Sequence, residues 1–195
     1  KNNIENKTLI FYTNGLLGSR KSQTYSNFND FMYNLSYWSS WSNGFNIWKS
    51  EFDKIDKNLK LNKLFPHTSL FLTQHQAKLF CINDNLLFDV QRIPKRGGHN
   101  KFEAFTIEYP SLLDECCKKG HISTKCKKHI LFGIMVQFLP SLLFNKYIIR
   151  IETFDDTGFR NNLKKYYPSY AYWLVLISVL GVPFRLFCRK LKNKR

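Results

Sequence analysis

The longest run of apolar positions lies near the C-terminus and contains no charged residue. It covers residues 166–184, which read YYPSYAYWLVLISVLGVPF, and Leu186 and Phe187 extend it beyond Arg185. A helix that crosses about 30 Å of hydrocarbon needs roughly 20 apolar residues. Because a buried helix of a soluble domain normally keeps a charged face, the pattern predicts one transmembrane helix over residues 166–187.

Aromatic and basic residues flank this run at opposite ends. Tyr and Trp side chains crowd its first third, where a headgroup belt is expected; they are Tyr166, Tyr167, Tyr170, Tyr172 and Trp173. The run is followed by RLFCRKLKNKR, which has six basic residues and no acid. Basic residues beside a span favour its cytosolic end, so residues 188–195 are predicted to be a cytosolic juxtamembrane tail. The predicted contacts with anionic headgroups are Arg185, Arg189, Lys190 and Lys192.

Before the anchor, shorter patterns predict a helix and several strands. Residues 8–13 (TLIFYT) end at the turn signal Asn14-Gly15 and predict a strand. Apolar residues then recur every three or four positions from Tyr25 to Trp38, which predicts an amphipathic helix capped by Ser26 with Asn29 or Asp30. Residues 51–64 (EFDKIDKNLKLNKL) favour a short solvated helix.

Further runs with β character predict a small antiparallel sheet. SLFLT (69–73), AKLFCI (77–82) and LLFDV (86–90) are short and apolar, and Asn83-Asp84-Asn85 separates the last two as a hairpin turn. Residues 102–109 and 147–154 alternate in polarity and predict two more strands. The predicted fold class is therefore α+β, with one compact domain over residues 1–165.

The predicted core is drawn from the apolar face of each of these elements. Its members are Phe11, Phe28, Phe31, Leu35, Trp38, Leu70, Leu72, Phe80, Ile82, Leu87, Phe105, Ile107, Ile149 and Ile151.

A second apolar peak covers residues 130–145 and leaves two interpretations open. Gln137 lies at its centre and Pro140 near its end, and its sixteen uncharged residues fall short of a typical span. We predict a buried helix. The alternative is a second transmembrane span, which would make the protein two-pass.

Composition and charge limit the class of protein. The chain has 195 residues, is 44% hydrophobic and 16% aromatic, and carries a formal net charge of +16. So much apolar content excludes a disordered chain. The basic residues outside the tail are spread in small clusters rather than along one helix, so a nucleic-acid partner is not favoured. The first residues, KNNIENK, lack the apolar core of a signal peptide, and we expect a removed leader or a longer parent protein.

One stretch offers soft metal ligands, and the same cysteines offer disulfides. Cys117, His121, Cys126 and His129 supply the four donors that tetrahedral zinc requires, but their spacing differs from the usual C-x2-C arrangement. We therefore predict neither metal nor cofactor. If the region is exported, the candidates for disulfides are Cys81, Cys116, Cys117 and Cys126.

Modification sites complete the candidate chemistry. Cys188 follows the apolar run and is a candidate for S-acylation. Asn6 and Asn34 fit the N-glycosylation pattern, although Asn34 is expected to be poorly accessible within the helical stripe. No nucleophile with a base, paired acids or glycine-rich phosphate loop is present, so the sequence leans away from an enzyme.

These observations favour a membrane protein that acts through protein contacts. The leading hypothesis is a non-enzymatic module tethered to a lipid bilayer, serving as a receptor-like protein, a scaffold or a subunit of a complex. One alternative is a basic RNA-associated component of an organellar ribonucleoprotein. Another is a fragment of a polytopic transporter or membrane enzyme, which requires residues 130–144 to span.

Overall fold

The structure is a computed structural model that describes residues 7–42, 44–87 and 100–193, with the backbone alone for residues 189–193. The chain has an α+β fold and divides into two compact units. Unit 1 comprises Lys1–Arg92 and Leu112–Ile130, and unit 2 comprises Ile93–Ser111 and Leu131–Arg195.

Unit 1 contains a three-stranded mixed sheet in the order β1-β3-β2. Strand β1 (Leu9–Tyr12) runs parallel to β3 (Phe80–Asn83), and β2 (Ser22–Tyr25) runs antiparallel to β3. The strands predicted over 8–13 and 77–82 are confirmed. The predicted antiparallel sheet is instead a mixed sheet: of the runs expected to form it, 77–82 alone becomes a strand among the described residues, and this strand, β3, pairs with two strands that precede it in the chain. Leu86 and Leu87 lie outside any strand, and residues 88–90 of the predicted hairpin lie outside the described residues.

Helix α1 (Phe28–Leu35) covers the sheet, as the amphipathic stripe predicts. Asn27 caps it: the Asn27 side-chain oxygen accepts a hydrogen bond from the Asp30 backbone N–H at 2.8 Å, a role that the sequence assigned to Ser26. The Phe31 ring stacks on Phe80 of β3 with 5.2 Å between ring centroids. Helix and sheet therefore share one aromatic core. A 3-10 turn over Ser36–Ser40 follows.

Four predicted elements are wrong. Where a helix was predicted over 51–64, the structure has the single turn α2 (Lys49–Phe52). Most of the predicted strand over 69–73 belongs to helix α3 (Pro66–Leu72). The strand over 102–109 is instead helical, through α4 (Lys101–Glu103), a π-helical segment (Ala104–Glu108) and the start of α5 (Tyr109–Lys118). The strand over 147–154 is absent among the described residues.

One long helix and three shorter ones follow. The segments α6 (Thr124–Gly133), Ile134–Phe138, α7 (Leu139–Leu143) and Phe144–Ile148 form a continuous helix of 25 residues, in which the second and fourth segments are π-helical. Then come α8 (Phe159–Tyr166), α9 (Ala171–Val179) and α10 (Val182–Asn193). In unit 2, α9 packs on α7 and on Ile134–Phe138, while α8 packs on Ala104–Glu108.

The core prediction holds best where the predicted elements exist. The buried members are Phe11, Phe28, Phe31, Leu35, Phe80 and Ile82. The half-buried members are Trp38, Leu70, Leu72, Phe105 and Ile107. Leu87, Ile149 and Ile151 are exposed, and none of the three lies in a strand.

Candidate membrane-contacting surface

The C-terminal apolar run forms a broken helix rather than the predicted straight one. Tyr167 is extended (φ −112°, ψ 158°), the conformation that a following proline favours, and it ends α8 at Tyr166. Helices α9 and α10 are bent by 53° relative to each other. Pro183 lacks a backbone N–H, so the hydrogen-bond ladder cannot continue through this turn. The single transmembrane helix over residues 166–187 is therefore corrected to a bent pair.

The bent pair leaves most of its apolar side chains in contact with solvent. Helix α9 buries only Ala171 and Val175, which lie four residues apart on one face. Tyr172, Leu174 and Val179 of α9 are half-buried and Val182 of α10 is buried. The other large side chains of the pair are exposed, and Leu180, between the two helices, is 81% exposed. We call the exposed set the apolar surface; it consists of Trp173, Leu176, Ile177, Leu180, Phe184, Leu186 and Phe187. Soluble monomeric proteins rarely expose so many neighbouring apolar side chains.

The basic residues beside this surface are only partly described. A guanidinium nitrogen of Arg185 approaches the Ser178 carbonyl at 3.4 Å, so Arg185 folds back over the bend and supplies a donor where the helix is broken. The side chains of Arg189, Lys190 and Lys192 lie outside the described residues, and the headgroup contacts of all four stay a prediction. Cys188 is half-buried with a free thiol, and its acylation is likewise untested.

The long helix over Thr124–Ile148 is the other apolar segment. Its most apolar window has a mean hydropathy of 1.3, so by length and composition it qualifies as a membrane span. Half of that window is nevertheless buried, and Ile130, Ile134 and Leu139 have no exposed surface. Gln137 faces outward. This arrangement is equally compatible with the core helix of a soluble protein.

The candidate zinc ligands make other contacts. His121 stacks on His75 with 3.5 Å between ring centroids, and His129 stacks on Tyr33 at 4.0 Å. The Cys126 thiol lies 3.6 Å from the Asn29 carbonyl. Within the described ranges, no three His, Cys, Asp or Glu side chains are grouped to hold a metal ion.

The cysteines are free thiols, in contrast to the disulfides that export would favour. Cys81, Cys116 and Cys126 are buried, and Cys117 is half-buried. Burial raises the pKa of the Cys116 thiol to about 12. Since the thiolate is the form that ligates metals and attacks disulfides, Cys116 is inert near neutral pH.

Asn34 is more accessible than the sequence suggested. It lies on the solvent side of α1, and its side-chain amide donates to the Asp30 carbonyl at 2.8 Å. The expectation of poor accessibility is wrong, because Asn34 does not share the face of Phe31 and Leu35. Asn6 lies outside the described residues.

A buried carboxylate that sequence reasoning missed organises unit 1. Asp84 was assigned to a hairpin turn, yet it has no exposed surface. One carboxylate oxygen accepts from the Thr13 hydroxyl at 2.5 Å and the Leu17 N–H at 3.1 Å. The other accepts from the Ser19 N–H at 2.8 Å, the Ser19 hydroxyl at 3.0 Å and the Arg20 N–H at 3.0 Å. Its partners lie more than sixty residues away, so no local motif signals this cage.

Comparisons with known proteins supply no relative from which a function could be inferred. No protein-family model, no curated protein and no solved structure matches the chain.

Proposed function

We propose that this protein is a membrane-tethered module whose helices α9 and α10 contact lipid. The observation that carries the proposal is the apolar surface, whose side chains stay exposed among the described residues. Burying one large apolar side chain contributes about 1.5 to 3 kcal/mol. Seven such side chains give a strong preference for hydrocarbon over water.

Because of the 53° bend, α9 and α10 would enter the bilayer as two short helices at an angle rather than as one straight helix. Each helix is shorter than the roughly 20 residues that a span requires, whereas the two together qualify as one broken span. Trp173 and Tyr170 are exposed at the start of α9, where aromatic rings suit the headgroup level. The basic residues after Phe184 then place the other end beside anionic headgroups.

Flotation of the full chain with liposomes tests the lipid contact. Replacing Leu180 by Asp introduces a charge that costs about 2.5 to 3.5 kcal/mol at the centre of a membrane helix, so the floated fraction should fall sharply. The matched control is Leu61→Asp, because Leu61 is an exposed leucine of unit 1. Equal flotation of both variants and the unmodified protein would remove the assignment.

We further propose that the C-terminus faces the cytosol. Six basic residues follow Phe184 without an acid, against Arg160, Lys164 and Lys165 before the run, and this excess favours the cytosolic side. A tag after Arg195 should be cut by protease in sealed vesicles whose cytosolic side faces outward. A tag that is cut only after detergent is added places the terminus on the opposite side.

The tethered part is proposed to act through protein contacts, as a receptor-like protein, a scaffold or a subunit of a complex. Three carboxylates are bound to partners within the chain, which favours a structural role for these side chains over a catalytic one. Asp84 is enclosed by its loop, Asp114 pairs with Lys127 at 2.7 Å, and Asp156 pairs with Lys146 at 2.7 Å. Cross-linking in intact membranes should then give a discrete adduct; a chain that cross-links to nothing contradicts this part of the proposal.

A further inference from the structure

An apolar cleft of about 350 Å³ opens within unit 2. Its walls are the end of the long helix and one face of α9, joined by the start of α8. The hydrocarbon surface comes from Leu143, Ile148, Phe159, Leu176 and Val179. Leu176 also belongs to the apolar surface, so the cleft is continuous with the region proposed to meet lipid. The volume lies within the range of ligand-binding cavities.

The polar groups at the cleft are already satisfied by each other. Asp156 accepts from the Lys146 ammonium at 2.7 Å and from the Tyr147 hydroxyl. Burial alone would raise the pKa of Asp156, but these two hydrogen bonds lower it below its usual value. The carboxylate is therefore ionised and neutralised by Lys146, and it leaves the apolar walls to dominate binding.

A cation lies beside the cleft without a carboxylate partner. The Arg160 guanidinium sits over the Tyr172 ring at 5.2 Å and over the Trp173 ring at 5.9 Å. Tyr172 also lines the cleft. In the part of the chain that the structure describes, no ion pair includes Arg160, and Arg160 is exposed.

We propose that the cleft holds one acyl chain of an anionic phospholipid, with the phosphate on Arg160. This inference rests on the proposed membrane tether, which supplies the lipid. The apolar walls recognise the hydrocarbon chain, and the guanidinium offers paired donors that suit a phosphate. The aromatic rings hold Arg160 in place, so that little rotamer freedom is lost on binding.

Native mass spectrometry of the full chain in detergent tests the site, with phosphatidylglycerol as the probe and phosphatidylcholine and oleate as comparisons. We expect one phosphatidylglycerol to be retained per chain. Val179→Trp fills the cleft and should reduce retention at least tenfold. The control is Ile151→Trp, which adds the same side chain at an exposed position of the same unit outside the cleft and should retain the lipid.

Arg160→Gln provides a second variant that leaves the core intact. It should weaken phosphatidylglycerol several-fold and leave phosphatidylcholine unchanged. Equal retention of phosphatidylglycerol by Val179→Trp and the unmodified protein would overturn the proposal. It would also be overturned if oleate bound as well as phosphatidylglycerol and Arg160→Gln changed neither. Liposome flotation of Val179→Trp should match the unmodified protein. Failure of flotation by the unmodified protein concerns the tether, whereas retention in detergent reports on the cleft alone.

Discussion

At the scale of single residues, Asp84 holds together the loop that joins β1 to β2. In Asp84→Asn, an amide NH₂ group faces the N–H groups of Ser19 and Arg20, which then lose their acceptor. Buried donors without an acceptor lower the stability of the folded state. We expect Asp84→Asn to lower the free energy of unfolding by about 2 to 4 kcal/mol. Urea unfolding in detergent, followed by tryptophan fluorescence, measures this loss.

Asp53 supplies the matched control, because it is an exposed Asp of the same unit. Asp53→Asn should change stability by less than about 0.5 kcal/mol. A similarly small effect of Asp84→Asn would show that the cage contributes nothing to folding.

The Asp84 effect should also depend on pH. Burial on its own raises the pKa of Asp84, but the hydrogen bonds from Thr13, Arg20, Leu17 and Ser19 outweigh it and lower the pKa. A carboxylate with a lowered folded pKa stabilises the protein above its unfolded pKa of about 3.9. That contribution is lost as pH falls through the folded pKa. The stability gap between Asp84→Asn and the unmodified protein should therefore narrow below about pH 4.

At the scale of elements, α1 is the helix whose packing the sequence predicts best. Phe31 has no exposed surface and contacts Phe28, Phe71 and Phe80. Phe31→Ala should cost about 3 to 5 kcal/mol, because it removes buried apolar area and leaves a cavity. Thermal unfolding compared with Asn34→Ala, on the exposed face of the same helix, measures the difference. A Phe31→Ala midpoint equal to that of the control would contradict the proposed core.

Local patterns predicted those elements whose periodicity and end signals agree. β1 (Leu9–Tyr12) is followed by the turn Asn14-Gly15, and α1 has a helical stripe that begins after a polar cap. Short apolar runs were ambiguous, since periodicity alone cannot separate a strand from a buried helical turn. Pro66 was an available signal that residues 66–72 begin a helix. In residues 102–109, Phe105 and Ile107 alternate with small or polar residues as in a strand, yet in the helix it is Ala104 and Thr106 that take the buried positions.

The uncharged, apolar composition of the candidate site was predictable from the sequence, whereas its bent shape was predictable only in part. The absence of charge over residues 166–184 indicated contact with lipid, and that inference stands as the proposed function. Pro168 signals the break before α9, and Gly181 and Pro183 signal the bend between α9 and α10, because proline interrupts a helix whatever its hydropathy. The cleft was not predictable, because Leu143, Phe159 and Val179 meet only through tertiary packing.

At the scale of the whole molecule, the net charge of +16 requires membrane insertion to be distinguished from electrostatic binding to nucleic acid. Raising sodium chloride from about 0.1 to 1 M should leave the protein in the membrane pellet, because apolar burial does not weaken with salt. A protein that holds six to ten phosphates of nucleic acid would instead lose about 10³- to 10⁵-fold in affinity between 50 and 200 mM salt. Release by salt or by ribonuclease would favour the ribonucleoprotein alternative.

The order β1-β3-β2 also has a consequence for how the chain is made. In the sheet β1 pairs with β3, while its other edge is hydrogen-bonded to Gly44 and Asn46. The Thr13–Asp84 contact joins residues 71 positions apart. At a synthesis rate of about 5 to 20 residues per second, β3 emerges roughly 4 to 14 s after β1. During that interval the apolar segment Leu9–Tyr12 lacks its neighbour in the sheet, and unpaired strand edges of nascent chains are prone to aggregation. We therefore expect the nascent chain to be most prone to aggregation before β3 leaves the ribosome.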